Sequence, residues 1–380
     1  MFAPIGVQQP FFALWLNARG FAPEGIALLL GLAPIVRFLS NMVAPPLADR
    51  TGHPARVLLW CALVMAAAQA ASGLPGGVAW VFALSLLATA GQGPTIPLLE
   101  TIILRESRRR LVAGGRALDY GAIRGAGSVS VLILMVASGW LASLTPPTAA
   151  IWLIAATSAA AVLAVWLCLG RATLPPPPPD APAAEGQVGR LGLIALVIAA
   201  SAAIQASHAV VYAFGSIGWR RDGYGDEAIG LLWAAGVATE VVLFYSARRL
   251  PGGLSHPYVW LAVGGLVAML RWAGMALGPG PLPLALLQAL HAGSFGASYL
   301  GATLAVAALA PEHRRAQIQG WASGANALLL AAATIASGRL WERIGAEAAY
   351  AAMGALAAAG LLCAVLAATL SPTRQARAET

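Results

Sequence analysis

Seven ionisable side chains stand inside long apolar runs of this sequence: Arg37, Glu100, Arg124, His208, Glu240, Arg271 and His291. A charge placed in hydrocarbon at a helix centre costs about 3 kcal/mol or more, so each should face a partner or a wet cavity. Arg37, Arg124 and Arg271 are permanent cations. Arg37 has Asn41 one turn below it on the same helical face; it needs a carboxylate, a ring of carbonyls or a bound anion. Glu100 and Arg124 fall at matching depths on successive runs, which suits an ion pair or a packing pair. Glu240 and His291 can exchange protons, which makes them the proton-coupling candidates. Gln205, His208 and Tyr212 share one helical face, Trp233 and Glu240 another, and Gln288, His291, Phe295 and Tyr299 a third. Such stripes also serve as interhelical hydrogen-bond glue. The runs hold three permanent cations against the carboxylates Glu100 and Glu240. Unless Asp119 balances the third cation, an acidic solute would restore neutrality.

The elements that must position these groups are helices. Apolar stretches near 3–19, 24–47, 57–75, 78–103, 118–142, 149–170, 191–215, 226–247, 257–277, 282–308, 317–338 and 347–370 each match a bilayer-crossing helix. They are Ala/Leu-rich without alternation, which excludes strands. The first run reads as an uncleaved insertion signal. Five consecutive prolines, Pro175 to Pro179, cannot continue a helix and favour extended polyproline II. They mark a linker over 171–190 between six spans (1–170) and six spans (191–371), followed by a short tail over 372–380.

With 59% hydrophobic and 10% charged residues, the chain cannot coat a soluble surface. Its formal charge is +8, and all the basic residues are Arg. They sit in short gaps between the apolar runs, which argues for membrane orientation and against nucleic acid. Placing both termini in the cytoplasm puts fifteen of the 23 arginines in inner segments and five in outer ones, as the positive-inside rule requires. Cys61, Cys168 and Cys363 have neither CxxC spacing nor a paired framework and read as packing residues. There is no phosphate-binding GxxxxGK[ST] loop and no metal-ligand spacing. No cofactor is expected, and any energy source would be a proton gradient. The run Arg105–Arg110 reads as a topogenic or lipid-contacting loop.

Between the second and third spans stands Leu47-Ala48-Asp49-Arg50-Thr51-Gly52. A turn of this kind can cap a helix end and bridge charges that lock a gate, so Asp49, Arg50 and Gly52 are gating candidates. The turn resembles the signature loop of the major facilitator superfamily, with Pro45 and His53-Pro54 where that signature has a Gly and basic residues. A narrower resemblance is to the phenylpropionate permease family, related to the oligosaccharide–proton symporters. It rests on segments in order along the chain: Pro10 to Leu16, Gly31 to Leu39, Leu118 to Arg124, Ser207-His208-Ala209, Leu231-Leu232-Trp233 with Glu240, Arg271-Trp272, and His291 to Phe295. The charge pattern is similar in kind to lactose permease, where acidic and basic residues on the fourth and fifth helices contact sugar. There, residues on the eighth, ninth and tenth join proton coupling. The chain departs from that pattern at Ser294, where the permease has a Glu one turn after its His.

These resemblances imply an all-α major facilitator fold of about twelve transmembrane helices in two pseudo-symmetric six-helix bundles around a central cavity. The expected activity is secondary active transport, favouring proton-coupled symport of an aromatic carboxylate such as phenylpropionate. A sugar or nucleoside symporter, a proton-antiport exporter and a transport-dead sensor are alternatives; an enzyme is not expected. Arg37, Asn41, Glu100, Arg124, Trp233 and Phe295 are expected to bind substrate, and Glu240, Arg271, His291 and His208 to handle the proton. The expected partners are a small-molecule substrate, protons and lipids in the bacterial inner membrane, with no nucleic acid and a monomeric state.

Overall fold

The computed structural model describes residues 1–116, 118, 120–169, 191–246, 255–310 and 315–371; the side chains of 104, 108, 120–122, 124, 315 and 316 lie outside that description. So do the linker and tail expected from sequence, Asp119 and the side chain of Arg124. The described residues contain helices and no strand.

The helices are α1 (Ala3–Ala18), α2 (Pro23–Thr51), α3 (Pro54–Ser72), α4 (Val78–Gln92), α5 (Thr95–Val112), α6 (Tyr120–Ser143) and α7 (Ala150–Leu169). They continue with α8 (Leu191–Ala206), α9 (Ala209–Arg221), α10 (Asp226–Ser246), α11 (Pro257–Ala276), α12 (Pro281–Ala289), α13 (Ala297–Leu309), α14 (Arg315–Arg343) and α15 (Ala346–Thr369). Three spans are each made of two helices. The fourth joins α4 to α5 across Gly93-Pro94, the seventh joins α8 to α9 across Ser207-His208, and the tenth joins α12 to α13 through a π-helical turn, Ala292–Gly296. Ten stretches among the described residues are long and apolar enough to cross a membrane. With α1 and α14 they make twelve, at the places the hydropathy predicts.

The contacts divide the chain into two compact units, Met1–Asp180 with Ser216–Leu231 and Ala181–Gly215 with Leu232–Thr380. In the first, α1 packs on α6 and α7, α3 on α4 and α7, and α2 on α4. In the second, α15 packs on α11 and α8, α13 on α11, and α14 on α8. With lipid outside, no hydrophobic force draws helices together, so small residues that allow close approach decide the packing. A Cβ on Gly301 would stand 2.5 Å from the Leu261 nitrogen, and one on Gly360 2.7 Å from Ile204 Cγ1. The first unit gains Ser216–Leu231 by the same device. A Cβ on Gly230 would lie 2.6 Å from the Met135 carbonyl and 3.1 Å from Gly139 Cα, and Ser143 Oγ bonds Glu227 at 3.2 Å. Asp226, opening α10, pairs with Arg220.

The Asp-Arg-x-Gly turn ends α2. Gly52 takes the left-handed conformation (φ 71°) that closes a helix C-terminus, and its N–H bonds the Asp49 carbonyl. The Asp49 carboxylate meets Arg105 of α5 at 2.6 Å, with the Arg105 side chain 9% exposed. The arginine run is therefore not uniform: Arg105 turns inward to the turn, while Arg109 and Arg110 share Glu106 at the surface.

Candidate functional site

The densest polar cluster lies in the second unit, where the breaks in the seventh and tenth spans meet α10 and α11. His208 occupies the break between α8 and α9 and is fully buried. Its Nδ1 lies 3.1 Å from the Ile204 carbonyl and 3.2 Å from that of Gln205. Carbonyls only accept, so Nδ1 carries the hydrogen. Its Nε2 faces Ser294 Oγ at 3.1 Å.

Arg271, 1% exposed, is the hub. Its Nη2 donates to Gln288 Oε1 at 2.8 Å, and its Nη1 points at both Ser294 Oγ (3.2 Å) and His291 Nδ1 (3.1 Å). Trp272 covers the guanidinium at 4.6 Å and is itself held by Ser207, whose Oγ accepts its Nε1–H at 2.8 Å. A guanidinium only donates. His291 Nδ1 must therefore be bare while this contact stands, which puts the imidazole hydrogen on Nε2. That nitrogen is 3.6 Å from the Glu240 carboxylate. The cluster thus has one direction when both histidines are neutral: Arg271 donates to Ser294, which donates to His208, and Arg271 donates to His291, which presents its N–H to Glu240.

Aromatic rings enclose this network. Phe295 stacks on His291 at 5.2 Å, Tyr212 on Trp233 at 6.1 Å, and Tyr299 continues the line beyond Phe295. The sequence-predicted residues Glu240, Arg271, His291, His208, Trp233 and Phe295 are therefore brought together. Several residues that hold them were not picked out from sequence. Gly236 leaves room for His291, since a Cβ there would stand 3.2 Å from the His291 Cβ. Thr239 ties α10 to the end of α12 through the Ala289 carbonyl at 2.9 Å.

The first unit holds the other predicted residues separately. Arg37 has an exposed side chain and no hydrogen bond or ion pair from its guanidinium among the described residues. The Ser40 hydroxyl and the Arg37 Cα lie against Gly93, where a Cβ would be 2.5 and 3.1 Å away, so this stretch of α2 packs on the break in the fourth span. Asn41 follows one turn on, with its Oδ1 buried and unpartnered among the described residues. Glu100 borders a largely apolar cavity of about 490 Å³ with Phe2, Ile103, Gly127 and Leu134. No group of His, Cys, Asp and Glu among the described residues could hold a metal ion.

The profile of the MFS_1 like family matches residues 1–352. The chain belongs to that family. Among curated relatives of this MFS_1 like protein is the "Probable 3-phenylpropionic acid transporter" of Escherichia coli (strain K12), 28% identical over 314 residues that make up 81% of this chain and 79% of the relative. The solved nucleoside transporter NupG superposes with a TM-score of 0.71 at 17% identity, covering 97% of this chain and 95% of that one. The human organic anion transporter MFSD10 gives 0.63 at 15% identity, covering 96% and 97%. The MFS_1 like chain has the all-α, twelve-helix major facilitator fold of two pseudo-symmetric halves, and it is a multi-pass membrane transporter of small solutes rather than an enzyme.

Proposed function

We propose that this protein is a proton-coupled symporter of the bacterial inner membrane, both termini cytoplasmic, that takes up an organic anion with an aromatic body. The observation that carries the reading is Arg37: a permanent cation within a span, with no anionic partner among the described residues. A carboxylate solute supplies the missing charge. The relative's name points to an aromatic body and to 3-phenylpropionate as the first probe. Asp49, Arg50 and Gly52, tied to α5 through the Asp49–Arg105 pair, form the inner gate.

The proton end is the His291–Glu240 pair. A second proton on His291 would set an N–H against the guanidinium of Arg271, so loading the pair loosens the Arg271–His291 contact. The helices that carry the two groups, α11 and the tenth span, are then free to shift. That gives the proton a differential free energy between conformations, which coupling requires. The test is uptake of labelled 3-phenylpropionate into proteoliposomes. An imposed inward proton gradient should drive accumulation, and a protonophore should abolish it while leaving counterflow. Equal flux of the neutral 3-phenylpropionamide would sink the anion reading.

His208 takes a different part from the one expected of it as a proton carrier. Its Nδ1–H is held by two carbonyls, its Nε2 accepts from Ser294, and Arg271 stands one atom beyond. Tyr212 stacks on its ring, His291 meets it edge-on, and Tyr350 stacks on Trp272 behind it. A charged imidazole here would add a second cation beside Arg271, so His208 acts as a neutral positioning residue. His208→Gln, which keeps an acceptor toward Ser294, should leave the pH midpoint of transport unchanged, with flux down by less than about fivefold. His291→Gln should flatten the pH profile. A flattened profile in the His208 variant would return it to the carrier role.

A further inference from the structure

The fourth and tenth spans occupy corresponding places in the two halves, and both are interrupted. Paired interruptions at corresponding positions are where transporters of this kind place their binding sites. The tenth-span break adjoins His291, which packs against Gly236 of the eighth span. The fourth-span break, at Gly93-Pro94, packs on the second span, where the backbone of Arg37 lies against Gly93. The residue just before that break is Gln92, and its Nε2 donates to Gln8 Oε1 of α1 at 2.8 Å.

Two features separate this bond from ordinary interhelical glue. First, α1 packs chiefly on α6 and α7, and α4 on α3 and α2, so the glutamines reach one another between helices that share little other contact. Second, the bond uses one N–H of Gln92 and one lone pair of Gln8. Both side-chain N–H groups of Gln8, the second N–H of Gln92 and the side-chain carbonyl of Gln92 have no partner among the described residues. On its other side Gln8 borders a small cavity shared with Gln69, Ser72 and Ser85. Gln69 and Ser85 are 4% and 6% exposed, yet Gln69 Oε1 and Ser85 Oγ are unpartnered among the described residues. At about 10 Å³ this cavity has room for one water, which those two atoms would hold beneath Gln8.

We propose that Gln8 and Gln92 form a second polar subsite, beside Arg37, that takes a hydroxyl on the aromatic end of the carried anion. A hydroxyl is both donor and acceptor, so it can accept from a Gln8 N–H while donating to the Gln92 C=O. The substrate class is therefore a hydroxylated arylalkanoate, with its carboxylate at Arg37. This assignment rests on the Arg37 reading, and its test keeps the two apart.

The experiment is equilibrium binding of labelled 3-phenylpropionate and 3-(3-hydroxyphenyl)propionate to the full-length protein in nanodiscs. The wild type should bind the hydroxylated acid about tenfold more tightly, the worth of one well-made hydrogen bond. Gln92→Met and Gln8→Met keep side-chain size and remove the amide. Each should bring that ratio to about one while changing the affinity for 3-phenylpropionate by less than about threefold. The two variants sit on different helices, so one of them can be read if the other does not fold. Arg37→Gln should weaken both acids alike and preserve the ratio. A wild-type ratio near one, or equal weakening of both acids in the Met variants, overturns the subsite. An Arg37→Gln protein that binds both acids normally overturns the anion reading instead and leaves the ratio to judge the glutamines.

Discussion

Arg37→Gln is expected to weaken binding of 3-phenylpropionate by about a hundredfold, the ~3 kcal/mol characteristic of losing one partner of a charge pair that the bound ligand closes off from water. Affinity for the neutral 3-phenylpropionamide should hardly move. The reasoning is a balance of charge. Arg37 does not deprotonate, and no carboxylate among the described residues reaches it, so the ligand must bring the anion. Arg37→Lys should lie between, about tenfold weaker than wild type, because an ammonium keeps the charge but not the fork that meets both carboxylate oxygens. Equilibrium binding of the acid and the amide in nanodiscs reads all three. A common loss for acid and amide would mean that Arg37 shapes the site without pairing to the ligand.

Much of this architecture is legible in the sequence, because the bilayer leaves few alternatives. Runs of about twenty apolar residues must be helices, and most observed spans begin and end within about five residues of the predicted ones, while the fourth runs on from 103 to Val112 and the seventh from 215 to Arg221. Glu240, Arg271 and His291 were visible for the same reason: an ionisable group in hydrocarbon stands out against Ala and Leu. Their supports did not stand out. Ser294 read as a missing acid, yet it is the oxygen through which Arg271 reaches His208. Gly236 is one glycine among 42, and only the packing of α10 on the tenth span shows what it makes room for. Gln8 and Gln92 are neutral and 84 residues apart, so no local spacing could pair them. Arg105 belonged to a basic run, and its turn toward Asp49 is a tertiary fact. The pattern of charge cost is written locally, whereas the second layer that orients those charges is set by which helices touch.

Glu240→Gln should abolish gradient-driven accumulation, a loss of about fiftyfold or more down to passive leak, while counterflow stays within about threefold of wild type. Glutamine keeps the size of glutamate and an oxygen for the His291 Nε2–H, so the packing of Glu240 Cγ near Gly296 and the ring stack of His291 on Phe295 survive. What it cannot do is release a proton. Counterflow needs the loaded carrier to reorient but no net proton movement, so it isolates the conformational step. Among the described residues that face Glu240 are His291 from the tenth span and Tyr212 from α9; with the carboxylate gone, counterflow between about pH 6 and about pH 8 should become flat, because His291 then has no anion to share its proton. Arg271→Gln should fail in another way. It removes the donor that fixes the His291 tautomer and strands Gln288 and Ser294, so counterflow should fall together with accumulation. Retained accumulation in Glu240→Gln would move the proton to Glu100, the remaining carboxylate within the apolar runs.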